Sequence, residues 1–532
     1  MRDATADLPA YSATVIQDLI NSTAGTGNPA HVGPGVYMAD GSVNLQSDVT
    51  LILDPATIIR RNFATSDATL GQSDPTTKIV NVRVIGGQVD NAGTNPGPPI
   101  SLYGDNISIS TMQVLNFYPG DKISGDGITI TGNDNKLSGL RVVTACQTTG
   151  AGGIRMAGGN NFLCSNCYVS SGDDALQFVP AAPINGHANE NVSITNSQYV
   201  NCVGISAAAR ACAVFLENRS TSTAMTANIT NCAFIGIRGR GGSVGAICAN
   251  QGTPDFPSLG SIANIQFIGV SLALPDTANG PNFQVWRDTK GGAGGPIEQI
   301  DFMGCTAFDG PNAGLMVQEA SRVRWLGGSI AAGTQAEQAV QFFTSSDCEL
   351  GNATVICGPN CTSGVYIAGG DGSSAPCLRV RVSGVTVMGV SDSGVGVLLG
   401  KAHSCAVAWT TVLPVATGTG TGVQVLDSKA CVLEQNNLQS VATPYALGPS
   451  GYVDNSLGVA TQAAGMIGLL DGTADVTFTV PFPTGLYAVL LTGDTTTESF
   501  AFANMSASGF TIVSSNSSSR ALVCWTALVT QF

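Results

Sequence analysis

The stretch from Leu137 to Asn166, LSGLRVVTACQTTGAGGIRMAGGNNFLCSN, holds one full period of the chain. It opens on Leu137-Ser138-Gly139 and closes on the same kind of phrase, Cys164-Ser165-Asn166, 27 residues later. Between them lies a short alternating run, Gly153-Ile154-Arg155-Met156. Upstream the phrase stands as Val84-Ile85-Gly86 and Ile109-Ser110-Thr111. Downstream it continues as Ile194-Thr195-Asn196, Ile229-Thr230-Asn231, Phe267-Ile268-Gly269, Phe302-Met303-Gly304, Trp325-Leu326-Gly327, Leu350-Gly351-Asn352 and Val382-Ser383-Gly384. Successive first residues are 25, 28, 27, 30, 35, 38, 35, 23, 25 and 32 apart. Gly and Asn tolerate the left-handed backbone that bulkier residues resist, so this column predicts a tight corner in every repeat. The alternating run recurs as Gly127-Ile128-Thr129-Ile130, Gly364-Val365-Tyr366-Ile367 and Gly422-Val423-Gln424-Val425, which sends one side-chain column inward and the next outward. Short strands in periods of 23–38 residues, with no helical periodicity between them, predict an all-β right-handed parallel β-helix solenoid. Leucine-rich and propeller repeats need signatures that this chain lacks.

Composition agrees. Charged residues make up 11% of the 532, against about 25% in ordinary soluble domains, and Gly accounts for 66. With 43% hydrophobic residues and 24 Pro, neither disorder nor collagen fits. No run approaches the roughly 18 apolar residues of a membrane span, and Met1-Arg2-Asp3-Ala4 starts no apolar signal core. The net charge of −14 supplies no basic stripe, so nucleic acid is not an expected partner. The 15 Cys show no paired framework and are read as reduced core residues; Cys348, Cys377, Cys405 and Cys431, 29, 28 and 26 apart, are expected to stack in one column. Cys164 and Cys167 have the CxxC form without a second pair at zinc-finger spacing. His31, His187 and His403 lie far apart in sequence, so no metal or cofactor is expected. Gly291-Gly292-Ala293-Gly294-Gly295 lacks a following Lys-Ser/Thr and is read as a loop, not a phosphate cradle.

The ends need covers, because a solenoid otherwise exposes unpaired strand edges. Ser12 to Asn21, with Val15, Ile16, Leu19 and Ile20 at helical spacing, predicts a short capping helix behind a Ser12 cap. The expected organisation is a cap or attachment segment over 1–34, the β-helix over 35–447, a linker over 448–464 and a small antiparallel β-sandwich over 465–532.

Two resemblances follow from particular phrases. Gly33-Pro34-Gly35-Val36-Tyr37, Val43-Asn44-Leu45 and Val49-Thr50-Leu51-Ile52-Leu53 resemble the first coil of pectate-lyase-like β-helix proteins, among them bacteriophage tailspikes. Val476-Thr477-Phe478, Pro481-Phe482-Pro483, Tyr487-Ala488-Val489 and Ser508-Gly509-Phe510-Thr511-Ile512 are similar to the small terminal domains of phage tail fibres. Together the resemblances imply a homotrimeric virion-tail protein that binds host surface polysaccharide. They also imply assembly in the bacterial host cytoplasm, a reducing compartment that suits unpaired Cys. With residues 1–34 alone ahead of the first coil, attachment is expected through the cap or an adaptor among the other tail proteins.

For chemistry, Ser171-Gly172-Asp173-Asp174-Ala175-Leu176-Gln177-Phe178 resembles the Gly-Asp-Asp phrase of polygalacturonase-like glycoside hydrolases, whose carboxylates act as acid and base. Gly150-Ala151-Gly152-Gly153-Ile154 stands where that family has an Asp, and no Gly-His-Gly follows, so only Asp173 and Asp174 carry over. Coil stacking at about 4.8 Å gives an independent argument. Aligning the strands puts Asp126 level with Asp174, two coils and about 10 Å away, with Arg155 on the coil between and Glu217 just beyond the next strand. Glycoside hydrolysis uses carboxylates about 5–5.5 Å apart for retention or about 6.5–9.5 Å apart for inversion, and such a ladder offers both. Asp at a strand mouth is equally a turn former. Trp286-Arg287-Asp288 and Gln318-Glu319 follow strands at nearly the phase of Glu217, and an aromatic beside charged groups suits a sugar ring; a buried or intersubunit Trp is the alternative. The leading functional expectation is a receptor-binding tailspike or fibre. The alternatives are a polysaccharide depolymerase, acting as glycoside hydrolase or lyase, and a structural tail protein that binds no sugar.

Overall fold

The computed structural model describes residues 8–529 apart from 92–96, 117–125, 145–151, 181–192, 208–211, 220–225, 252–254, 256, 276, 288–293, 371–374, 448–450, 455–461, 472, 478–486, 494–497 and 507. The chain divides into two compact units, 1–336 and 337–532.

In the first unit each coil lays strands on three parallel faces. One coil runs Ile128–Thr131, Lys136–Ser138 and Arg141–Thr144. The next runs Ile154–Met156, Leu163–Ser165 and Tyr168–Ser171. Counterparts pair in parallel, Thr129 with Arg155, Leu137 with Cys164 and Val142 with Val169, and the faces are named here for Thr129, Leu137 and Val142. Alternation decides what each face buries. On the Thr129 face, Ile128, Ile154, Leu176, Val214, Ala246, Phe283 and Leu315 stand level on successive coils, and all are buried.

The Leu137 face carries the densest packing. Register places Tyr199, Phe234, Phe267, Phe302 and Trp325 in one inward column. Their ring centroids are 5.4, 5.3, 4.7 and 5.3 Å apart in sequence, with interplanar angles of 6°, 11°, 18° and 26°. The Tyr199 hydroxyl crosses the interior to the Thr129 face, 3.0 Å from the Ile154 carbonyl and 2.9 Å from that of Gln177.

The corners are where the repeat phrase expects them. The third residue of every phrase, from Gly86 to Gly384, has φ between 51° and 77°. Register nevertheless separates two corners. Gly139 and Asn166 align with Asn201 and Gly236, whereas Asn196 and Asn231 align with Asn161 and Asn264 at the other corner. The phrases at Ile194 and Ile229 therefore belong to a second column. Both corners need a left-handed residue and Asn serves at either, so residue type alone does not tell them apart. The second column also bonds along its side chains, Asn264 Nδ2 donating to Asn231 Oδ1 at 2.7 Å.

At the front, the helix spans Thr14–Thr23 with Ala13 at its N-cap position and no side-chain cap. Ser12 instead ends the strand Ala10–Ser12, which pairs in parallel with Val36–Met38. Ile16 and Ile20 are buried, Leu19 is half-buried and Val15 is exposed, so the apolar face is narrower than the spacing suggests. Parallel pairing thus begins ahead of Gly35; Ala30–Val32 also pairs, with Leu51–Leu53.

The second unit repeats the coil with aliphatic columns. Val365, Val397, Val423 and Tyr445 stand level, as do Leu350, Val382, Val407 and Leu433. Strand pairing gives a column of Cys348, Val380, Cys405 and Cys431, the first three one residue ahead of a paired strand and Cys431 the first residue of its own. Cys377 is off it, paired with Ala402 three residues earlier, because spacing alone does not show how far before the corner each coil places its cysteine. The cysteines described as free, among them Cys348, Cys405 and Cys431, are buried except for half-buried Cys357. Gly451–Asp454, inside the expected linker, pairs in parallel with Cys431–Glu434. Beyond it two three-stranded antiparallel sheets form, Gln462–Gly468 with Leu522–Val529 and Tyr487–Gly493, and Thr473–Thr477 with Gly509–Ser514 and Phe500–Ser506. Leu469, Val476, Phe510, Ile512 and Val523 make a hydrophobic core there.

Replacing Phe267 by Ala removes a ring stacked on both sides and leaves a cavity, so F267A is expected to cost about 3–5 kcal/mol. Tyr168→Ala, at a ring 39% exposed, should cost under about 1 kcal/mol. Urea denaturation of the full chain measures both, and equal small losses would show that the ring column does not hold the coils.

Candidate functional site

The Thr129 face gathers the carboxylates. Asp126, Gly152 and Asp174 each lie two residues before the inward residues Ile128, Ile154 and Leu176, so they stand level on three successive coils. Backbone bonds continue the ladder through them, Gly127 N–H donating to the Gly152 carbonyl at 2.9 Å and Gly153 N–H to that of Asp174 at 2.8 Å. Gly152 leaves open the space where the two neighbouring side chains meet. There Gln177 Nε2 donates to Asp126 Oδ1 at 3.0 Å and to the Asp174 carbonyl at 2.9 Å. A Cβ at position 152 would overlap both Asp126 Oδ1 and Gln177 Nε2. Asp126 Oδ2 faces Arg155 Nη1 at 3.8 Å and accepts from Thr129 Oγ1 at 3.4 Å. The Arg155 Nε donates to the Val179 carbonyl at 3.3 Å.

The two aligned aspartates differ in surroundings. Asp126 has a cation and two neutral donors about it. Asp174 is half-buried, and desolvation first, then the charges of Asp173 and Glu217, push its carboxyl well above the ordinary range; the Cys212 N–H at 2.7 Å from its Oδ1 offsets part of this. Asp173 is half-buried, its carbonyl accepting from Ser171 Oγ at 2.5 Å. Glu217 lies inside the strand Cys212–Arg219, not beyond it, and is buried, with Oε1 accepting from Gln251 Nε2 at 2.8 Å.

The sugar-platform residues sit farther along the same face. Glu217, Ala249, Trp286 and Gln318 form one column, which puts Trp286 two coils from Glu217; Trp286, Arg287 and Gln318 lie within the strands Phe283–Arg287 and Leu315–Gln318, not after them. Trp286 and Arg287 are half-buried, and Arg287 Nε donates to the Gly294 carbonyl at 2.9 Å. Glu319 follows the strand Leu315–Gln318 with φ 55°. Asp288 lies outside the described residues. The structure therefore joins Asp126, Arg155, Asp173, Asp174 and Glu217 and leaves Trp286, Arg287 and Glu319 as a separate stretch. Gln177 and Gly152 are the members that sequence reasoning missed. Gly152 was legible as the residue level with Asp126 and Asp174, but nothing in one sequence marked Gln177 as their bridge.

No family model matches the chain, and no curated protein does. Among solved structures it is similar to a tailspike protein of E. coli bacteriophage HK620 in complex with a hexasaccharide, at 12% identity and a TM-score of 0.49 over 97% of this chain and 89% of that one. The tailspike gp49 of Pseudomonas phage LKA1 is similar at 11% identity and a TM-score of 0.39, over 97% and 92%. The A-module of an Azotobacter vinelandii mannuronan C-5 epimerase is similar at 13% identity and a TM-score of 0.40, over 84% and 96%. The parallel coil itself stands on the strand register of this chain.

The raised Asp174 carboxyl carries a signed consequence. Below the unfolded value of about 3.9 both states hold the proton and the site costs nothing. As pH rises, the unfolded chain releases it first, so stability falls until the folded value is passed. Asp174→Asn keeps an acceptor for Cys212 and has no charge to bury. Its urea midpoint relative to the unaltered chain should therefore be higher at pH 7 than at pH 4; a pH-independent difference would mean that Asp174 does not titrate upward.

Proposed function

We propose that this chain is a receptor-binding protein of a virion tail, a tailspike or tail fibre, that holds host surface polysaccharide on the Thr129 face and hydrolyses a glycosidic bond there. One observation carries the catalytic part: Asp126 and Asp174 stand level, two coils apart, across a residue with no side chain. Two strand spacings of about 4.8 Å bring the aspartate backbones about 10 Å apart, near the separation that leaves room for a water and inverts the sugar centre. Protonated Asp174 has its Oδ1 engaged by Cys212 and offers Oδ2 to the leaving oxygen as general acid. Asp126, steered by Gln177 and Arg155, takes a proton from the attacking water as general base. Asp173 and Glu217 keep the acid protonated by like-charge repulsion. Trp286 and Arg287, further along the same face, would hold the distal sugars of a chain. Host recognition rests on the resemblances of the coil and terminal phrases to tailspikes and tail fibres.

Reducing-end release from host surface polysaccharide tests the chemistry. Asp126→Asn should lower the rate by about 10²-fold or more, with glycan binding kept within a few-fold. Binding without release by the unaltered chain would leave recognition and remove hydrolysis, and an unchanged rate in the variant would remove Asp126 from the reaction.

Attachment through residues 1–34 or an adaptor, and a homotrimer clamped by the terminal module, complete the reading. A module of about 68 residues is marginal alone, so three copies are expected to pack together. Deleting 465–532 should lower trimer content by light scattering, or host adsorption, while leaving the β-sheet circular dichroism largely intact. Full retention of both would show the module to be neither clamp nor receptor binder.

A further inference from the structure

At the bend between the Leu137 and Val142 faces lies a group of side chains that the proposed chemistry does not use. Cys164 is in the strand Leu163–Ser165, Cys167 directly precedes Tyr168–Ser171, and Cys202 precedes Val203–Ser206 on the next coil. Tyr168 pairs with Val203, so Cys167 and Cys202 stand level, one coil apart. All three are buried, and their sulfurs lie within 4.8 Å of one another. Among the described residues this is the one group of three or more such side chains with metal-ligand spacing. Cys232, Cys248 and Cys305 are as buried and belong to no such group.

We propose that Cys164, Cys167 and Cys202 form a three-sulfur site for one soft d10 cation, of the cuprous or cadmium kind, that ties two successive coils together. Geometry argues for it. Three thiolates about 2.3 Å from one metal stand about 4.0 Å apart in a trigonal arrangement, and the Cys164 and Cys202 sulfurs are 4.0 Å apart. That is far beyond the roughly 2.05 Å of a disulfide. The donor set is all sulfur, which selects soft ions over magnesium, calcium or manganese. Zinc in closed sites takes four ligands, and the group offers three. The Leu140 N–H donates to Cys167 Sγ at 3.4 Å, a contact that spreads the charge of a bound thiolate. On binding a divalent ion the three thiols release three protons, and the complex keeps one negative charge. The competing arrangement is three protonated thiols, two of them resting on carbonyls, Cys167 at 3.3 Å from Ser165 O and Cys202 at 3.4 Å from Val200 O.

The position gives the site a role. Tyr199 pairs with Cys164, and its hydroxyl reaches the Ile154 and Gln177 carbonyls on the strands that carry Arg155 and Gln177. A cation here would brace the coils that carry Tyr199 and, through its hydroxyl, the strands of Arg155 and Gln177. The sulfurs are sealed from solvent, so loading must accompany folding. The full chain is therefore refolded under reducing conditions with cadmium alone, desalted and assayed for metal content and for the sulfur-to-cadmium absorption band. One equivalent is expected in the unaltered chain and in Cys305→Ser, a buried cysteine elsewhere, with at least a tenfold loss in Cys202→Ser. X-ray absorption of the unaltered chain should count three sulfurs, which keeps the test decisive where C202S does not fold. A cadmium content below a tenth of an equivalent in the folded unaltered chain, or one undiminished in folded C202S, would overturn the site.

Discussion

Everything in the first unit depends on successive coils keeping step at the spacing of hydrogen-bonded strands. That spacing is about 4.8 Å, and the rings of Tyr199, Phe234, Phe267, Phe302 and Trp325 stack at 4.7 to 5.4 Å. The distance at which aromatic faces pack and the distance at which backbones bond coincide, so one column satisfies both without distortion. A slip of one residue would turn a ring toward solvent and move an Asn off its corner, which is why register here is strongly fixed.

Strict stacking also brings like beside like, and for charges this is a cost. Elsewhere the chain answers by facing opposite signs across neighbouring coils. Asp301 pairs with Arg324 at 2.7 Å, Asp90 with Arg60 at 3.0 Å and Asp105 with Lys78 at 3.2 Å. Around Asp174 the neighbours acting on its charge are Asp173 and Glu217, of the same sign. A fold that elsewhere pairs its charges and here groups carboxylates departs from its own rule, and such departures gather where a protein does chemistry.

Much of this was legible because a coil repeats its instructions. The Gly and Asn column announced left-handed corners, and Ile128, Ile154 and Leu176 announced an inward column, each by residue type at a fixed phase. What stayed hidden was whatever needs two coils to be seen at once. Asn196 and Asn231 look like members of the first corner until pairing places Asn201 and Gly236 there. Cys377 fits a spacing of 28 residues yet lies off the column. Val15 has helical phase and still faces water, whereas Ile16 and Ile20 are buried. At the candidate site Asp126 and Asp174 were aligned by counting, whereas the Gln177 bridge depends on where a flexible amide turns.

The corner between the Leu137 and Val142 faces has a further consequence. From Ser138 to Arg141, and at the matching Ser165 to Tyr168, the chain spends two residues on the bend, whereas the connections into and out of the Thr129 face range widely in length. Coil periods, which along the ring column run from 23 residues between Phe302 and Trp325 to 35 between Phe267 and Phe302, are thus adjusted beside the Thr129 face, leaving the ring column and its corners untouched. Insertion, deletion or exchange of those connections would change what the face meets while leaving the scaffold in register. Tolerance of length change and fixed register thereby lie on different sides of the same coil.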